Sequence, residues 1–284
     1  MLYIGRATHL RSRVGSYWGE LRDRRHLRRM VPQIARVEAV ACDSVHEAAW
    51  LERNLLERAK PRWNRARGGA EVPVCIRLEH KAGEPRITLA HWPPADPGTE
   101  TFGPYLGGTQ GRLAVSALDR IFPLRYTGDR LDGGQLDLAR IRGVDRTHRA
   151  GFLTTITAVL RRRPSETQTV RESLALLRDR AATNLAFELA ARIQQEIEAI
   201  DWIVAEQKVT LLDPLPDHDA YGWADGLLVR FRIRNGRLNG WEQRASTFGA
   251  AKRHLELTPA QWSTFAGRNA ELARELLSNP GQGR

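Results

Sequence analysis

The sequence predicts a small α/β module over residues 1–66, a connecting region over 67–148, a helical region over 149–209 and a small α+β tail over 210–284. Three observations carry that reading. Ile34 to Cys42 alternates apolar and polar residues, the period of a strand with one buried face. Ser44-Val45-His46-Glu47 has the form of a capping box, and it opens a helix that Pro61 stops after Lys60. From about Ala150 to Val209 the pattern is helical, with one turn at Arg163-Pro164-Ser165.

The remaining elements follow in order. Leu2-Tyr3-Ile4-Gly5 reads as a short strand ending in glycine, and Leu10, Val14 and Tyr17 share one helical face. A basic helical stretch carries Arg22, Arg24, Arg25, Arg28 and Arg29. Glycine and proline punctuate two further strands, Val72–Leu78 and Arg86–Ala90. Phe102-Gly103-Pro104-Tyr105 reads as a turn before a helix from Gln110 to Ile121, and residues 126–148 read as a linker. Leu227–Ile233 and Leu238–Arg244 are strands joined at Asn235-Gly236, a strong hairpin signal, and Thr258-Pro259 opens a terminal helix.

Composition narrows the function classes. The chain has 44 lysines and arginines against 33 acids, a net charge of +11. Arginine dominates, and its planar fork suits phosphate oxygens, so the expected partner is a polyanion. Only Cys42 and Cys75 occur, which excludes a disulfide framework and argues against a cysteine-held zinc or iron–sulfur site. Two free thiols fit a reducing cytoplasm. No apolar run reaches the length of a membrane span, and the first residues lack the apolar core of a signal peptide.

Glu52 is the most informative single residue. Steps of about 100° place Ala48, Leu51, Leu55 and Ala59 on one stripe of the helix, with Glu52 inside it and Glu47, Arg53, Glu57 and Arg58 outside. A carboxylate on a buried face needs an ion pair or a metal, and the helix alone leaves both open. Arg13 and Tyr17, four apart, project to one side of the first helix. Read singly, Tyr17 is a core residue, Arg6 and Arg11 are solvated charges, and Asn64 caps a turn.

Together these residues make a specific pattern. Tyr3-Ile4-Gly5-Arg6-Ala7, Leu10-Arg11-Ser12-Arg13-Val14 and Ser16-Tyr17-Trp18 resemble the GIY-YIG nuclease family, closest to its UvrC-like branch. Glu47-Ala48-Ala49-Trp50-Leu51-Glu52-Arg53-Asn54-Leu55-Leu56 is similar to that branch's metal-binding helix, and Pro61-Arg62-Trp63-Asn64 to its next motif. Phe102-Gly103-Pro104-Tyr105 and Ile121-Phe122-Pro123-Leu124-Arg125 follow in the same order. Asn184-Leu185-Ala186-Phe187-Glu188-Leu189-Ala190-Ala191 resembles the hairpin through which such proteins contact a UvrB-type partner, and Arg234-Asn235-Gly236-Arg237-Leu238 the strand turn after it.

The resemblance implies a GIY-YIG-type α/β fold and a metal-dependent DNA endonuclease of excision repair, acting with one Mg²⁺ or Mn²⁺. It implies that Glu52 holds the metal, Tyr3 orients or deprotonates the attacking water, Arg13 stabilises phosphate charge, and Tyr17 and Asn64 position the substrate. Arg6, Arg11 and Arg62 would contact DNA, and Phe187, Glu188 and Ala191 the UvrB-like partner. The types suit the chemistry. Phosphodiester cleavage develops negative charge that a fixed cation and a guanidinium stabilise, and a tyrosine acts as base only with cationic help.

Three departures shape the expectation. The family's first Gly-Ile-Tyr-like strand belongs upstream of Tyr3, so a further strand is expected to complete the sheet, unless Val72–Leu78 fills its place. No cysteine cluster follows Phe122-Pro123-Leu124-Arg125, and an RNase H-like second nuclease domain is not found. The expected protein is therefore a single-incision, Cho-like short homologue rather than a dual-incision subunit. The alternatives are a non-catalytic DNA- and UvrB-binding relative and a piece of a larger fusion with an exonuclease domain.

Overall fold

The computed structural model describes residues 1–18, 25–64, 71–81, 83–91, 99–212 and 216–278. In chain order these form helices α1 (Leu10–Gly15) and α2 (Val45–Ala59), then strands β1 (Pro73–Glu79), β2 (Arg86–His91) and β3 (Glu100–Leu106). Helices α3 (Gly108–Ile121), α4 (Gly133–Arg142), α5 (Arg149–Leu160), α6 (Pro164–Thr183) and α7 (Phe187–Val204) follow. Strands β4 (His218–Ala224), β5 (Leu227–Arg234) and β6 (Arg237–Ala245) precede helices α8 (Phe248–Glu256) and α9 (Ala260–Ser278). The four stretches read from the sequence fall into two compact units, one of Met1–Ala70 with Glu206–Arg284 and one of Glu71–Ala205.

In the second unit an antiparallel sheet of order β2-β1-β3 packs its apolar residues against α3 and α7. Phe102-Gly103-Pro104-Tyr105, expected to turn, lies within β3. β3 is an edge strand, where a proline without an N–H interrupts no second ladder. The expected linker contains α4, capped reciprocally by Asp132 and Gln135 and ended by Gly143 at φ 64°. Its Leu136, Leu138 and Ile141 are exposed, so apolar periodicity gives no warning of it. Glu196 is fully buried, and the Arg120 guanidinium grips it with Nε at 2.6 Å and Nη2 at 2.9 Å, while Ser116 Oγ donates at 2.7 Å.

In the first unit the Asn235-Gly236 turn forms as expected, both residues at positive φ, between β5 and β6 of the sheet β4-β5-β6. Helix α9 lies so close on β4 that a Cβ on Gly222 would sit 1.9 Å from the Ala266 carbonyl oxygen, so only glycine fits there. Two expected strands are corrected. Leu2–Gly5 and Ile34–Cys42 are without strand pairing among the described residues. Val72–Leu78 does not pair with either, because Pro73–Glu79 is the central strand of the other unit's sheet. A side-chain amide instead serves each segment. Asn64 Oδ1 accepts from Ile4 N at 3.0 Å and its Nδ2 donates to Ile4 O at 2.7 Å. Asn269 Oδ1 accepts from Ala41 N at 2.7 Å and its Nδ2 donates to Ala41 O at 3.1 Å. Of the basic stretch, Arg25–Arg29 is a 3-10 turn, and Arg22 and Arg24 lie outside the described residues.

Candidate active site

The site is built on a small core in which Tyr17, Leu27 and Met30 are buried and Leu2, Tyr3, Ile34 and Trp63 pack around them. The Asn64 amide satisfies both backbone groups of Ile4. That fixes the segment next to it, including Tyr3. Gly5 then matters for space, since a Cβ there would meet Tyr3 Cε1 at 2.9 Å and its hydroxyl oxygen at 3.2 Å. The Tyr3 ring meets Tyr17 edge-on, with centroids 5.6 Å apart. Arg13 lies over the Tyr17 ring at 5.5 Å, although α1 ends at Gly15 and Tyr17 stands in the turn after it rather than on the expected helix. Arg13 Nε is buried without a hydrogen-bond partner among the described residues, as are several other side-chain nitrogens, including those of Arg232 and Arg268.

Glu52 stands on α2 with its side chain 24% exposed and pairs with Arg6 Nε at 3.5 Å. The expected stripe is corrected here. The fully buried carboxylate of α2 is Glu47, and Ala59 is exposed. The buried side of the helix takes in His46, Glu47, Ala49, Trp50, Leu51, Asn54, Leu55 and Leu56, a face turned by more than one residue from the stripe expected of the helix alone. The capping box is also only half made. Ser44 Oγ accepts from Glu47 N at 2.9 Å, but Glu47 Oε2 accepts from Asp43 N at 2.6 Å and its Oε1 from Lys208 N at 2.9 Å. Burial pushes the Glu47 carboxyl up, against those two N–H groups. Burial also raises Asp43, but Lys208 and Arg268 outweigh it and hold its carboxyl below the usual range. Cys42 is pushed up to about 12 by burial with Glu47 and Asp43 beside it, which makes it an inert thiol.

Arg11 is exposed, and the Arg62 guanidinium lies 5.4 Å from the Trp63 ring. The structure thus brings Tyr3, Arg13, Tyr17 and Asn64 around one core and sets Glu52 against Arg6. Asn64 differs from the expected substrate contact, since its amide is spent on the backbone. Among the described residues no group of three or more histidine, cysteine and acidic side chains could hold a metal. The donor set at Glu52 is one partly exposed carboxylate. That fits a hard divalent cation that keeps most of its waters, and does not fit zinc. In the other unit Phe187 is 64% exposed beside exposed Leu185 and Leu189, and Glu188 and Ala191 are exposed on the same helix.

The tyrosine pair, the arginine over one of its rings and the glutamate of α2 all lie within residues 1–59. Residues 1–65 match the family model described as a UvrC-like GIY-YIG domain, and the module belongs to that family. The chain is 32% identical over 254 residues to the UvrABC system protein C of a Cyanothece species, covering 84% of this chain and 40% of that protein. It is 32% identical over 261 residues to the protein of the same name from Symbiobacterium thermophilum, covering 86% of this chain and 40% of that one. A Synechocystis relative of that name is 31% identical over 256 residues, with 84% and 40% covered. The chain therefore spans about 40% of the length of these relatives. No solved structure matches it significantly. No helix among the described residues is long and apolar enough to cross a membrane.

Proposed function

We propose that the chain is a UvrC-like, structure-dependent DNA endonuclease of nucleotide excision repair that makes one metal-dependent nick. The observation that carries this is the packing of Tyr3 against Tyr17 beneath Arg13. A guanidinium held there suits a phosphate oxygen. Arg13 would bind the scissile phosphate and stabilise the charge that grows on it. The Tyr3 hydroxyl would orient the attacking water, and its phenolate form would take the water's proton to give back the phenol, with Tyr17 holding the ring from the side. Asn64 acts one step back, by fixing the backbone that carries Tyr3. Glu52 would hold a divalent cation, Mg²⁺ or Mn²⁺, which when bound supplies charge stabilisation at the phosphate. Arg6, Arg11 and Arg62 would bind flanking phosphates, a contribution that weakens as salt rises.

The protein partner we propose is UvrB-like and docks on the tip of the α6–α7 hairpin. The exposed Leu185 and Phe187 support that reading, because they are not spent on this chain's own core. The test of the function is a lesion-bearing duplex labelled on both strands and incubated with the protein and either Mg²⁺ or a chelator. One nick in one strand, lost with the chelator, is the expected result. Binding without any cut would establish the non-catalytic alternative.

A further inference from the structure

Helix α2 carries Glu52, but its grip comes from elsewhere. Seven residues separate Glu47 from Asn54, so they lie within about 20° of each other on the helix, whereas Glu52 lies about 140–160° away on the far side. Both residues on the gripped side are buried polar groups; the partners of Asn54 come from residues 206–212 and β6, and Glu47 is shared between Asp43 N and Lys208 N. Asn54 Nδ2 donates to Val209 O at 3.0 Å, to Thr210 Oγ1 at 3.0 Å and to Leu238 O at 3.4 Å. Glu47 accepts from Lys208 N, and Ser44 Oγ donates to Glu206 O at 2.6 Å. At the other end of the helix Arg58 Nη1 donates to Asn239 O at 2.8 Å, and Glu57 pairs with Arg237 at 3.1 Å. The segment leading into α2 is held the same way. Asn269 of α9, 1% exposed, clamps Ala41, and Arg268 bridges Ala41 O at 2.8 Å and Asp43 at 2.7 Å.

We infer that residues 206–278 are the frame of the GIY-YIG-type site, and that Asn54 is a positioning residue that sets the height and rotation of Glu52. The inference rests on the reading of Glu52 as metal ligand. Buried amides and carboxylates are satisfied in one geometry only. Helix α2 therefore cannot slide or roll on this surface without orphaning Asn54 or Glu47. A shift of the order of 1 Å at Glu52 is enough to reduce a reaction that depends on it by roughly a hundredfold. Asn64 clamps Ile4, next to Tyr3, from within residues 1–64, the frame clamps α2 from outside them, and the Arg6–Glu52 pair joins the two.

The experiment uses the whole chain as wild type, Asn54→Ala, Asn54→Asp, Leu174→Ala and Glu52→Gln. Leu174 is fully buried in α6, in the core of the other compact unit, so its variant lowers stability without altering the frame. Asn54→Asp keeps the shape but loses the amide donor. Backbone hydrogen exchange of α2, Mn²⁺ binding followed by electron paramagnetic resonance, and nicking against Mn²⁺ concentration are read well below each melting temperature. Both Asn54 variants should speed exchange in α2, weaken Mn²⁺ binding about tenfold or more, and leave DNA affinity unchanged. Leu174→Ala should lower the melting temperature with wild-type Mn²⁺ binding. Wild-type exchange and Mn²⁺ binding in folded Asn54 variants would overturn the inference while leaving the nuclease reading intact. Equal Mn²⁺ binding by wild type and Glu52→Gln would instead overturn the metal reading, and the role of Asn54 in setting a metal ligand with it. If the Asn54→Ala chain does not fold, Asn54→Asp and Thr210→Val, which removes the hydroxyl acceptor, carry the same comparison.

Discussion

Replacing Asn64 by alanine removes the two hydrogen bonds that hold Ile4, at 3.0 and 2.7 Å, from a half-buried position. Each is a neutral bond worth about 1 kcal/mol net, so the loss is about 2 kcal/mol. For a unit of this size that lowers the melting temperature by roughly 4–8 °C. The Trp63 N to Leu2 O bond at 3.3 Å survives, so the segment loosens rather than detaches. Asn64→Asp is the sharper variant. It keeps an acceptor for Ile4 N but turns a second oxygen toward Ile4 O, where the donor stood, so it should be no better than alanine. Thermal melts give the stability, filter binding gives DNA affinity, and single-turnover nicking gives the rate. Both variants should melt lower, bind DNA nearly as wild type, and cut at least tenfold more slowly because Tyr3 is no longer fixed. Wild-type melting and rate in Asn64→Asp would refute the clamp and return Asn64 to the role of a substrate contact.

Gly5→Ala should slow nicking while the fold stays intact, because the new methyl must push the Tyr3 ring from its place; circular dichroism with a rate measurement checks this, and an unchanged rate contradicts it. Phe187→Ala should weaken binding to a UvrB-type partner by about 2 kcal/mol with almost no change in melting temperature, since the ring is exposed; a drop in melting temperature with unchanged binding would place it in the core instead. Burial raises Glu196, but Arg120 and Ser116 outweigh it and hold the carboxyl below the usual range. Its stabilisation is therefore present above the ordinary carboxylate pKa and is lost as pH falls through the depressed one. Glu196→Gln should cost up to about 3 kcal/mol at neutral pH and flatten that acid-side loss, read by melting the chain across a pH series; an unchanged slope would contradict the assignment.

What the sequence made legible was local chemistry. Ser44 and Pro61 mark the ends of α2 because capping and a missing N–H act within one turn. Asn235-Gly236 marks its turn because both residues take positive φ. The buried side of α2 was misread by more than one residue because its partners, Lys208, Val209 and Leu238, lie some 155 to 184 positions away and leave no trace in the helix's own pattern. Burial does not alternate over Ile34–Cys42, and a side-chain amide from Asn269 stands where a strand partner was expected. At the candidate site the residue types were readable from Tyr3, Arg13, Tyr17 and Glu52. The duty of Asn64, the pairing of Arg6 with Glu52 and the burial of Glu47 needed coordinates, because each depends on which distant backbone a side chain reaches.

The most direct measurement compares wild type with Glu52→Gln on one lesion-bearing duplex, scoring DNA affinity and strand nicking together in Mg²⁺ or Mn²⁺. Phosphate contacts come from arginines and the metal contact from Glu52, so affinity and cutting should separate. Equal affinity is expected, with one nick by the wild type and none by the variant. Undiminished nicking by Glu52→Gln, or no metal-dependent nick by the wild type, would contradict it.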